Sequence, residues 1–214
     1  MNGEEFANKI VTFYYLMLSF FVFQALSCPI PSRPPGIVYN PDAKDIIVEM
    51  YADPLCSDCL DSWSAVSAAI TKYKDNARFI IHLLPLPYHT WTFMVSKVIM
   101  AAKSINTSYA PILLNCLYAD GDQNMFLGSE VKSVTAGDMQ KKALKWAAEK
   151  LGITVNDLTK AFRTQEMNTK IEFKYSAVHN IDGTPTFYIN GVASDLSSDS
   201  TIDDWSNVID PLLN

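Results

Sequence analysis

Residues 46–59 read IIVEMYADPLCSDC, and the folding of this stretch decides the architecture. The segment DIIVEMYA, Asp45–Ala52, is apolar and β-branched at its start, which predicts a buried strand. Asp53-Pro54 marks a turn. Beyond it Leu60, Trp63, Val66, Ile70 and Tyr73 recur at helical spacing. A second strand, RFIIHLLPL at Arg78–Leu86, is stopped by Pro85 and Pro87. Strand, helix, strand in this order predicts a βαβ unit, with the strands parallel and the helix across one face. The junction of the first strand and the helix carries two cysteines, Cys56 and Cys59.

Downstream the period lengthens. VSKVIMAAKSI, APILLNCLYA and DMQKKALKWAAEKLG read as helices, the last running into a glycine stop, and KAFRTQEMNTKIEFKYSAV continues the pattern. Thr135 with Asp138, and Thr154 with Asp157, have the spacing of capping pairs. The period then shortens again: TPTFYING, residues 184–191, alternates as a strand and ends in an Asn-Gly turn signal. A last helix is predicted from Thr201, with Asp204 three residues on. The helical block spans about 90 residues, too long for a structureless connection, so it must pack as a layer of its own.

The chain has 214 residues, a net charge of -6 and 49% hydrophobic residues, which suits one domain or a domain with an insertion. No basic cluster marks a nucleic-acid face. Ile10 to Phe23 is an apolar run of signal-peptide length, followed by QALSC with small residues at Ala25 and Ser27. Residues 1–27 are therefore expected to be a cleaved signal peptide, with an uncleaved membrane anchor as the alternative. Export would place the chain in an oxidising compartment where disulfides persist. There the NTS sequon at Asn106–Ser108 is a candidate glycan acceptor in a eukaryotic host, and the terminal PLLN is not a retention signal, so secretion is favoured.

A lone CxxC has three readings. Zinc needs four ligands, and His82, His89 and His179 are not paired at ligand spacing, so no metal is expected. A structural disulfide across two residues closes too small a loop to remove much unfolded-state entropy. The redox reading has a positive case. A cysteine at a helix N-terminus meets unpaired N–H groups that stabilise a thiolate, and the thiolate is the nucleophile of disulfide exchange. Cys116, in an apolar helix, reads as a small buried hydrophobe. Cys28 is a free thiol, a lipid attachment site or a partner for Cys116. His89 either lines the site or is solvated. A Cys-His protease lacks any flanking signature.

IIVEMYADPLCSDC together with GTPTFYING resembles the thioredoxin superfamily, and the helical block between them resembles its DsbA-like branch. PLPYH, FKYS and GTPTFYING are also similar to a group of secreted eukaryotic DsbA-like proteins. The resemblance runs from Gly36 to near the end of the chain. It implies an α/β, thioredoxin-like fold interrupted by a helical insertion: a first part at 28–87, the insertion at 88–178 and a second part at 179–214. It implies thiol–disulfide exchange with protein substrates and no bound cofactor, with Cys56 as the exposed nucleophile and Cys59 as the resolving thiol. Pro185 is expected to be cis, with Thr184 offering backbone groups to an extended substrate. Glu49 is expected beneath Cys59, taking its proton, although the match needs one extra residue in the ADPL turn. The alternative for Glu49 is a solvent-facing place at a sheet edge. The alternative for the whole is a thioredoxin-fold peptide binder without turnover.

Overall fold

Ile46–Ala52 forms β2, the central strand of a five-stranded sheet ordered β1-β3-β2-β4-β5 in the computed structural model, which describes residues 34–213. The expected signal segment and Cys28 lie outside the described residues. β1 is Ile37–Tyr39, β3 is Ala77–Leu83, β4 is Thr186–Ile189 and β5 is Val192–Ala193. β2 and β3 run parallel in register from Ile46 opposite Ala77 to Ala52 opposite Leu83, and α1 (Ser57–Lys72) joins them. This is the predicted βαβ unit. The remaining neighbours are antiparallel.

The strand period sorts β2 onto two faces. Val48, Met50 and Ala52 are fully buried in one core cluster with Cys59, Trp63, Val66 and Ala69 of α1. Trp205 of α7 (Ile202–Ile209) joins that layer, its ring centroid 6.0 Å from that of Phe79 and 5.1 Å from that of Phe187. Glu49 and Tyr51 point to the opposite face, where they meet Tyr175 of α6 (Glu166–Val178). Glu49 is thus on a central strand, which excludes the edge alternative.

Between β3 and β4 come α2 (Thr92–Ile105), α3 (Tyr109–Tyr118), a 3-10 turn at Asp122–Phe126, α4 (Ala136–Leu151), α5 (Val155–Phe162) and α6. The hydroxyls of Thr135 and Thr154 accept the amides of Asp138 and Asp157, and Thr201 with Asp204 completes a reciprocal capping box. Gly152 ends α4 in the left-handed region, at φ 64°. Asn190 and Gly191, at φ 51° and 79°, make the tight hairpin between β4 and β5. One expectation fails here: the pattern from Lys160 to Val178 is not continuous. Amides of Thr164 and Gln165 bond three residues back, tightening the chain into a corner that separates α5 from α6. Among the described residues no helix is long and apolar enough to cross a membrane.

Candidate active site

β2 delivers the chain to the turn Asp53-Pro54-Leu55, and the turn delivers Cys56 to the start of α1. The Asp53 carbonyl accepts the Cys56 amide at 3.1 Å, and its carboxylate accepts the Leu55 amide at 2.7 Å. Cys56 is the N-cap of α1, in extended backbone, and no side-chain hydrogen bond closes that cap. The first-turn amides of Asp58 and Cys59 are therefore near, incompletely satisfied donors for its sulfur.

The two sulfurs lie in opposite environments. The Cys56 thiol is lowered from 9 to about 6, chiefly by the hydrogen bond that Cys59 gives it. Burial works against this shift, since Cys56 is only 6% exposed, while the Thr184 side chain and the amides of Cys59 and Asp58 reinforce it. The Thr184 hydroxyl is buried with no conventional hydrogen-bond partner, so it is available to the sulfur. Cys59, with no exposed surface, is raised well above the ordinary thiol range, first by burial and then by its neighbour Cys56. Both cysteines are free thiols.

The start of β4 faces this pair. The Cys56 thiol donates to the Thr184 carbonyl at 3.3 Å, and the Thr184–Pro185 peptide bond is cis. Cys56, Cys59, Thr184 and Pro185 are thus brought together, although Cys56 is more covered than an exposed nucleophile was expected to be. Glu49 stands apart from them. Its carboxylate meets His82 Nε2 at 3.0 Å and accepts the Tyr175 hydroxyl at 3.3 Å, on the sheet face turned away from Cys59. The hydrogen bond from His82 is the main reason its carboxyl is lowered.

Asp53 was legible only as a turn residue, yet it is completely buried and bonded to three segments. The signal available was an acid set between apolar residues immediately before the cysteines; its partners were not visible. Cys116 is buried as expected, and its sulfur lies near the carboxylates of Asp120 and Asp122. Lys150 bridges those carboxylates at 3.4 and 2.8 Å and Trp146 Nε1 donates to Asp122 at 2.7 Å, so a cation is already supplied by the chain.

Several solved structures share this architecture. A Pseudomonas syringae protein provisionally described as a protein-disulfide isomerase superposes with a TM-score of 0.68 at 19% identity, covering 81% of this chain and 97% of its own. DsbA from Mycobacterium tuberculosis gives 0.67 at 12% identity, over 85% and 93% of the two chains. DsbA2 from Pseudomonas aeruginosa gives 0.61 at 14% identity, over 86% and 97%. At these identities the likeness is one of fold. Among curated protein sequences none matches the chain significantly. The family model described as thioredoxin matches residues 34–211, nearly the whole described chain. This protein belongs to the thioredoxin family.

Proposed function

We propose that this protein is a thiol–disulfide oxidoreductase that acts on protein substrates through Cys56 and Cys59. The observation that carries the reading is the placement of the two sulfurs: Cys56 at the N-cap of α1, 3.3 Å from the Thr184 carbonyl, and Cys59 fully buried three residues further in. The Cys56 thiolate attacks a substrate disulfide, forming a mixed disulfide and expelling one substrate thiolate. Cys59 loses its proton and attacks the Cys56 sulfur, which closes the Cys56–Cys59 disulfide and frees the second substrate thiol. Two electrons pass to the substrate, and the reverse sequence oxidises it. In the mixed disulfide Cys56 carries no charge, so one of the influences that keep Cys59 protonated is relieved at the step that needs its thiolate.

The carbonyl of Thr184 and the adjacent cis-Pro185 form the ledge on which an extended substrate segment would lie, since backbone groups there read a strand-like peptide without regard to its side chains. The names of the similar structures, a disulfide isomerase and two DsbA proteins, agree with this chemistry. Export of the chain, with cleavage before Cys28, belongs to the same proposal and rests on the N-terminal sequence pattern, and a glycan on Asn106 rests on the NTS sequon. Reduction of insulin by dithiothreitol tests the reading. The protein is expected to accelerate precipitation of the freed chains. No acceleration, with binding of unfolded peptides retained, would instead identify a non-catalytic peptide binder.

A further inference from the structure

Asp53 is the most heavily bonded acid near the cysteines. Its Oδ1 accepts the Leu55 amide and the Thr92 hydroxyl, while its Oδ2 accepts the Leu86 amide at 2.7 Å and meets His89 Nδ1 at 2.9 Å. Four donors converge on two oxygens, an arrangement that an acceptor-only carboxylate fills and an amide cannot. Its backbone carbonyl holds the Cys56 amide and also accepts the hydroxyl of the buried Tyr118, at 2.9 Å. One residue therefore ties the turn bearing the cysteines to the β3–α2 loop, to the first residue of α2 and to α3.

We propose that Asp53, with His89 as its partner, is the positioning residue of this centre: it fixes the turn so that Cys56 stays at the first-turn amides of α1. This rests on the exchange function proposed above. His89 closes the arrangement from outside, with about one-fifth of its side chain exposed and its ring edge-to-face with that of Tyr88. Thr92 and Leu86 close it from within.

The sign of one shift separates positioning from plain charge. Removing a negative charge near a thiol lowers its pKa by relief of Coulomb repulsion alone. Loosening the turn does the opposite, since it withdraws the amides that favour the thiolate. In Asp53→Asn the new NH₂ faces two donors, so the turn must give. The Cys56 titration midpoint, followed by thiolate absorbance, is therefore expected to rise by about one pH unit, the scale of one charge-assisted hydrogen bond. Equilibration with glutathione should show the pair about tenfold less oxidising, in line with that shift. His89→Asn keeps a donor near the Nδ1 position and should retain the wild-type midpoint, whereas His89→Phe should raise it. Near-ultraviolet circular dichroism checks the fold, and if Asp53→Asn does not fold, the two His89 variants decide. An unchanged or lowered midpoint in folded Asp53→Asn, or identical behaviour of the two His89 variants, overturns the proposal. The expected shifts without catalysis of insulin reduction would instead refute the exchange function and leave the positioning role standing.

Discussion

Cys56 and Cys59 are separated by two residues, yet the fold gives them opposite chemistry. Cys56 precedes the helix, where its sulfur meets first-turn amides that lack intrahelical partners; Cys59 is three residues further in, where the apolar layer of Val48, Met50 and Trp63 closes over it. Burial alone raises both thiols; only at Cys56 do the donors outweigh it. Position along one helical turn, rather than residue type, distinguishes nucleophile from resolving thiol.

The largest expected effect breaks the comparison outright. Cys56→Ser should reduce catalysed insulin reduction to the uncatalysed rate. Cys59→Ser should keep the first step and accumulate mixed disulfides, visible as higher-mass species on non-reducing gels. Equal trapping by both variants would show that the sulfurs are interchangeable.

A pH profile sharpens the same contrast. The thiolate fraction of Cys56 grows as pH rises through about 6. Its attack on a model disulfide under single-turnover conditions should therefore increase up to roughly one unit above that midpoint and then level off. An ordinary thiol would still be accelerating there. Stopped-flow rates between weakly acidic and alkaline pH decide between the two curves.

Two acids offer a second contrast. Glu49 and Asp53 are both on the approach to the cysteines, but the strand alternation turns Glu49 toward His82 and Tyr175, while the turn holds Asp53 beneath Cys56. If Glu49 were the base for Cys59, Glu49→Gln should slow resolution of the mixed disulfide by a hundredfold or more, the ordinary range for a lost general base being about 10²–10⁴. The geometry predicts less than about threefold, a change of well under one pKa unit in energy. Rapid-quench measurement of mixed-disulfide decay separates the two.

Asp58 should matter least. Its amide supports the Cys56 thiolate, while its carboxylate is on the exposed surface beside the Ser57 hydroxyl. Asp58→His reverses a charge that solvent screens, so the redox potential should rise by only about 10–30 mV. Glutathione equilibration of both proteins measures it; a fall in potential would contradict the sign.

Much of this was legible because it is local. The βαβ unit, the three capping threonines and the Asn-Gly hairpin are written within a few residues of where they act. β1 was not, because a three-residue strand has no period to read and pairs with β3, which is distant in the chain. The corner between α5 and α6 interrupts a stretch whose residues all tolerate helix. Asp53 illustrates the deeper limit. Its partners Leu86, His89 and Thr92 are 33, 36 and 39 residues away, and only the return of β3 beside β2 brings them to it. The lowering of the Cys56 thiol is likewise reinforced by Thr184, which reaches the site only once β4 pairs with β2.

The central claim is that these two sulfurs have been driven apart, and alkylation of the reduced protein tests it directly. Each cysteine is followed by mass spectrometry as a function of pH. Cys56 should react first, with a midpoint near 6, and Cys59 should remain protected past the ordinary thiol value of 9. Modification of Cys59 ahead of Cys56, or a Cys56 midpoint near 9, would contradict the account.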